Sequence, residues 1–140
     1  MKSRVVDASV VAAAFFHESH AEPARKLLVG GDPLLAPDLI YAELANVIWK
    51  RWSRSEIDAG EASLLLEDFL LLPLQIAPSA GLVDIALQLA IQTRRTVYDC
   101  LYLALAMRNK TVMVTGDRRL MNALGGSPLA AHIAWIGESV

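Results

Sequence analysis

Short apolar runs alternate with helical stretches along this chain, and that alternation constrains its fold more than any other feature. Arg4 to Asp7, Leu34-Leu35-Ala36, Leu74 to Ile76, Thr111 to Thr115 and Ile133 to Ile136 each read as a short strand. Helical spacing fills the intervals between them. Strands separated by helices point to an α/β sandwich of three layers with a mainly parallel sheet.

Local chemistry sets the expected boundaries. Ala8 to Phe16 is an Ala-rich helix, and a second helix starts near Pro23 and stops at Gly30-Gly31. Pro37-Asp38 opens a helix whose apolar residues are Leu39, Ile40, Leu44, Val47 and Ile48. Ser55 with Asp58 resembles a capping box for a helix that runs to about Leu71, before Pro73. Leu82, Ile85, Ala86 and Leu89 form the expected buried face of the next helix, opposite Asp84, Gln88 and Gln92. Tyr98 to Asn109 is almost wholly apolar, so it is expected to be buried on most sides, and a short basic helix follows from Arg118.

With 140 residues and no linker or repeat, the chain is expected to form one domain over residues 1–140. A net charge of −2 excludes a broadly basic surface for non-specific nucleic-acid binding, so any such contact must be local. The single cysteine, Cys100, cannot form an internal disulfide. No apolar run reaches the ~18 to 20 residues of a spanning helix, and no secretory signal is read at the start. The expected setting is the cytoplasm, without a membrane. Hydrophobic residues make up 54% of the chain, more than one small core uses, so some apolar surface is expected to face a partner or a second copy.

Four acids stand out of place. Asp7 and Asp117 follow strands, Asp99 lies in the first turn of the most apolar helix, and Glu43 shares a helix face with Leu39 and Val47. Each has an ordinary explanation, since Asp7 and Asp117 could cap helices and Asp99 could answer a helix dipole. Taken together, they need a common one. A carboxylate on an apolar face costs several kcal/mol unless it is paired or binds a metal. In a parallel sheet, ligands collect beyond the carboxyl ends of the strands, and all four acids are expected near that edge. Two carboxylates about 5 Å apart repel by roughly 3 kcal/mol, so such a cluster takes up protons or a cation. Oxygen donors without His or Cys select Mg²⁺ or Mn²⁺ over Zn²⁺, a setting suited to hydrolysis of a phosphodiester.

The segments around these acids resemble a known family. Val5-Val6-Asp7-Ala8-Ser9, Ala36-Pro37 leading to Glu43, Tyr98-Asp99-Cys100-Leu101-Tyr102-Leu103-Ala104-Leu105-Ala106, and Val114-Thr115-Gly116-Asp117-Arg118-Arg119-Leu120 resemble the four acidic motifs of PIN-domain nucleases, most closely the VapC-type toxins. The acids are 36, 56 and 18 positions apart, so the resemblance spans most of the chain. It implies a Rossmann-like PIN fold, dependence on Mg²⁺ or Mn²⁺, endoribonuclease activity, a homodimer and a cognate antitoxin. Asp7 and Asp99 are then direct metal ligands, with Asp117 and Glu43 completing the site directly or through water. Ser9 and Thr115 are supporting hydroxyls that orient a carboxylate or water, or else serve as caps.

Among the basic residues, Arg118 and Arg119 are preferred over Arg94 and Arg95 as phosphate contacts. Trp49 and Trp52 read as packing or interface residues, His17 and His20 as surface residues, and Cys100 as core. A haloacid-dehalogenase-type phosphatase would want a second Asp where Ser9 stands, and no G-x-G-x-x-G supports dinucleotide binding. A non-catalytic interaction module on the same fold is the remaining alternative. It predicts no response to metal or EDTA.

Overall fold

The computed structural model describes residues 2–138. Five strands, β1 (Arg4–Val6), β2 (Leu34–Pro37), β3 (Leu74–Ala77), β4 (Met113–Thr115) and β5 (Ile133–Trp135), form one sheet in the order β3-β2-β1-β4-β5. Every pairing is parallel. The carboxyl ends of all five strands therefore share one edge. Among the described residues, seven α-helices flank the sheet: α1 (Ala8–Phe15), α2 (Ala21–Val29), α3 (Leu39–Ser53), α4 (Ala59–Leu70), α5 (Val83–Thr93), α6 (Val97–Arg108) and α7 (Arg118–Gly125). The expected α/β sandwich is present, and its described sheet is wholly parallel.

Central β1 and β4 are buried because helices cover them, which is why Val5, Val6, Met113 and Val114 are all apolar. Helix α6 packs on β1, β2 and β4 and on α5. Cys100 to Ala106 are consequently buried without interruption, which explains a helix with no polar stripe in its middle. Its Thr96 N-cap accepts from the Asp99 amide at 3.2 Å, so Asp99 faces the carboxyl edge from the first turn.

Three sequence expectations change. Ser55 does not start α4; it ends α3. Its φ of 59° is left-handed, and the Ser55 and Glu56 amides donate to the Trp52 and Arg51 carbonyls at 2.9 and 3.0 Å, a Schellman closure. The capping box is formed one turn later by Asp58 and Glu61, whose side chains accept from each other's amides at 2.8 and 3.1 Å. Helix α2 begins at Ala21, two residues before Pro23, because first-turn amides need no helical partner and tolerate a proline there. On α5 the buried stripe is only Ala86 and Leu89, continued by the buried N-cap Leu82. Ile85 is 46% exposed, since α5 packs chiefly against α6 and that contact leaves Ile85 largely uncovered. No described helix is long and apolar enough to cross a membrane.

Candidate active site

Asp7 follows β1 and caps α1. Its Oδ1 accepts from the amides of Ser9 and Val10 at 3.0 and 3.3 Å and from the Ser9 hydroxyl. Its Oδ2 accepts from Thr115 Oγ1 at 2.5 Å, reaching across from β4. The two hydroxyls are themselves anchored, for Gly116 N donates to Ser9 Oγ at 2.8 Å and Asp117 N donates to Thr115 Oγ1 at 3.0 Å. Ser9 and Thr115 thus hold Asp7 and tie β1 to the turn after β4. Asp117 caps α7 in the same way, accepting from the Arg119 and Leu120 amides at 3.0 and 3.3 Å.

Capping does not account for where Asp7 sits. The residue is 7% exposed, and burial, with a smaller push from the Glu43 charge, drives its carboxyl up to about 6 despite four hydrogen bonds that favour the anion. Glu43, in the second turn of α3, is half-buried. Burial raises it first and the Asp99 charge second, while the Tyr102 hydroxyl, donating to its Oε1 at 2.5 Å, opposes them. Asp99 is raised by burial and then by Asp117, with Arg95 pulling the other way. The phenol of Tyr102 is held far above its ordinary value by burial and by the charges of Glu43, Asp7 and Asp99. Asp7, Glu43, Asp99 and Asp117 therefore form an electrostatic chain at the carboxyl edge.

The four acids are neighbours without being a finished cage. Among the described residues, no group of three carboxylate, imidazole or thiol side chains is arranged to hold a metal ion. Their chemistry nevertheless fits a hard cation. The donors are all oxygens, and three of the four carboxyls are raised by burial together with a neighbouring acid, which a nearby cation would relieve. Asp7, Asp99 and Asp117, with Glu43 directly or through water, are the residues that would hold it.

The remaining sequence candidates separate clearly. Arg119 and Arg118 are exposed beside Asp117, and the Arg118 guanidinium lies 3.7 Å from the centre of the Trp135 ring. Arg95 acts on Asp99. His17 and His20 are exposed, and buried Cys100 has its thiol pushed up chiefly by burial, as an unreactive core residue would. Trp49 and Trp52 are half-exposed on α3 and line an apolar groove of about 310 Å³ with Ile48, Ala62 and Leu66. Sequence reasoning missed Tyr102 and Trp135. Tyr102 had a signal: between Cys100 and Ala106 it is the one hydroxyl, three residues after Asp99 and so on the same helix face. Trp135 had none.

Comparison with known proteins decides the family. The PIN domain matches residues 4–125, and this stretch contains all four acids. The chain belongs to the PIN-domain family. It is 35% identical over 118 residues to Ribonuclease VapC3 of Pyrobaculum aerophilum, covering 83% of this chain and 90% of the relative. VapC ribonuclease Mb0985 of Mycobacterium bovis is 28% identical over 83% of this chain and 87% of its own length. Among solved structures, PAE2754 from Pyrobaculum aerophilum superposes with a TM-score of 0.72 at 25% identity, covering 96% of this PIN chain and 84% of that one. A toxin–antitoxin complex from Klebsiella pneumoniae shares the fold, with a TM-score of 0.63 at 13% identity over 97% and 99% of the two chains.

Proposed function

We propose that this PIN domain is a metal-dependent endoribonuclease of the VapC toxin type. It hydrolyses RNA phosphodiester bonds at Asp7, Glu43, Asp99 and Asp117 and is neutralised by a cognate antitoxin. The observation that carries the reading is the run of three buried or half-buried acids at the carboxyl edge, Asp7, Glu43 and Asp99, each raised by burial and a neighbouring acid and with exposed Asp117 beside Asp99, in a chain similar to proteins named as ribonucleases. Bound Mg²⁺ or Mn²⁺ would supply charge neutralisation and an activated water there. Ser9 and Thr115 keep Asp7 in one rotamer, and Tyr102 keeps Glu43 in one position, so the acids need not reorganise when substrate arrives. We read the chain as cytoplasmic and homodimeric, with the exposed Val83, Leu87 and Ile91 consistent with covered surface in an assembly.

The antitoxin docks, in this reading, in the groove of Trp49, Trp52 and α4. A charged substitution such as Trp49→Glu should release a co-purifying antitoxin, and retention of it would remove this groove from consideration. The activity test is cleavage of a mixed single-stranded and structured RNA pool with Mg²⁺, Mn²⁺ or EDTA, beside Asp99→Asn. Cleavage that requires metal and disappears in the variant supports the proposal. A folded, antitoxin-free chain that neither cuts nor binds metal is an interaction module instead.

A further inference from the structure

Trp135 ends the edge strand β5 in register with Thr115, the residue whose hydroxyl holds Asp7. Neighbouring strands lie about 5 Å apart, so Trp135 stands at the level of the carboxylates, one strand beyond Thr115. The Arg118 guanidinium lies over its indole at 3.7 Å from the ring centre, and the His20 ring meets it edge-on with centroids 5.1 Å apart. Three separate elements, β5, the start of α7 and the turn before α2, meet at this ring. The indole is 9% exposed, whereas Arg118 is exposed.

A guanidinium stacked on an indole has its plane fixed while its N–H donors, which lie in that plane, stay available at the edges. Arg118 has no carboxylate within ion-pair distance among the described residues. Arg51, in contrast, is committed to Glu18 and Glu56, and Arg95 acts on Asp99. A free, oriented fork one residue after Asp117 matches the paired oxygens of a phosphodiester.

We propose that Arg118, laid on Trp135, forms a phosphate-binding subsite that holds a backbone phosphate of the RNA strand beside the carboxylates. Trp135 acts as a positioning residue: it orients the fork and does not itself stack on a base. The proposal rests on the ribonuclease reading above and adds the group that offsets the acid cluster's repulsion of a polyanion. It also predicts that a planar fork is needed there, since a lysine supplies charge without orientation.

The test uses the full chain and a fluorescently labelled, mixed-sequence single-stranded RNA, with binding followed over a salt series and cleavage followed with Mn²⁺. Arg118→Ala should raise the RNA Kd and KM about tenfold, leave kcat within about twofold, and reduce the salt slope by about 0.7, the value for one phosphate contact on a single strand. Arg118→Lys should recover the salt slope but less than half of the affinity. Trp135→Leu should weaken binding in the wild type and add nothing in the Arg118→Ala background. Full rescue by lysine, an unchanged slope in Arg118→Ala, or an equal Trp135→Leu effect in both backgrounds would overturn the subsite. If Trp135→Leu does not fold, the alanine and lysine variants still decide. RNA binding that depends on Arg118 without any cleavage would sink the nuclease reading and leave the subsite standing, whereas a wild type that binds no RNA sinks both.

Discussion

Asp7 and Asp58 do the same local job in two different places. Each is the N-cap of a helix, Asp7 accepting from the Ser9 and Val10 amides and Asp58 from the Glu61 amide. Asp58 is exposed, and both of its capping-box hydrogen bonds are with Glu61 of its own helix. Asp7 is buried, is held by hydroxyls from α1 and β4, and has a carboxyl driven up to about 6. A helix start needs only what Asp58 provides. The additional burial at Asp7 costs stability, and our proposal assigns this costly carboxylate at the carboxyl edge of a parallel sheet to the binding of a cation.

Substitution should split these two roles, and the largest effect is on activity. Asp7→Asn keeps the capping oxygen, so the helix should survive. Metal-dependent RNA cleavage should nevertheless fall by more than the ~100-fold that marks loss of an outer-shell partner, read as initial rates at saturating Mn²⁺. A pH series on the metal-free protein comes next. The folded state binds the Asp7 proton more tightly than the unfolded chain does, so unfolding free energy should decrease as pH rises between about 4 and 6 and stay lower at neutrality. Moving this carboxyl from 3.8 to about 6 is worth on the order of 3 kcal/mol at most. Denaturant midpoints across that window should show the decline, and Asp7→Asn should lessen it, leaving the smaller part due to raised Glu43 and Asp99.

Smaller effects sharpen the contrast. Tyr102→Phe removes only the hydroxyl that donates to Glu43, and cleavage should drop about tenfold with KM for RNA unchanged. Adding Tyr102→Phe to Glu43→Gln should change little further, as a double-mutant cycle would reveal. Asp58→Ala should cost about 1 kcal/mol in a denaturant melt and leave cleavage per folded molecule untouched.

The parallel sheet was legible because its strands are short apolar runs separated by helices, and the closeness of the four acids was legible because each falls in or beside an apolar element. Glu43 could be placed by its spacing from Leu39 and Val47, and Asp99 by its place in an apolar helix. Ser55 misled because a left-handed serine ending one helix and a serine opening the next look alike without coordinates. Ile85 misled because periodicity identifies a face without saying how widely a neighbour covers it. Trp135 was invisible for another reason: its contacts with Arg118 and His20 come from elements far apart in sequence, and no local pattern encodes them.

The claim that Asp7 is kept for a cation, and not for the fold, is tested most directly by melting wild type and Asp7→Asn at pH 7.5 in EDTA and in saturating Mn²⁺. In EDTA the variant should be at least as stable as wild type. Manganese should raise the wild-type midpoint and move the variant much less, reversing their order. A wild type indifferent to manganese, or a variant clearly less stable in EDTA, would contradict the account and return Asp7 to the same structural role as Asp58.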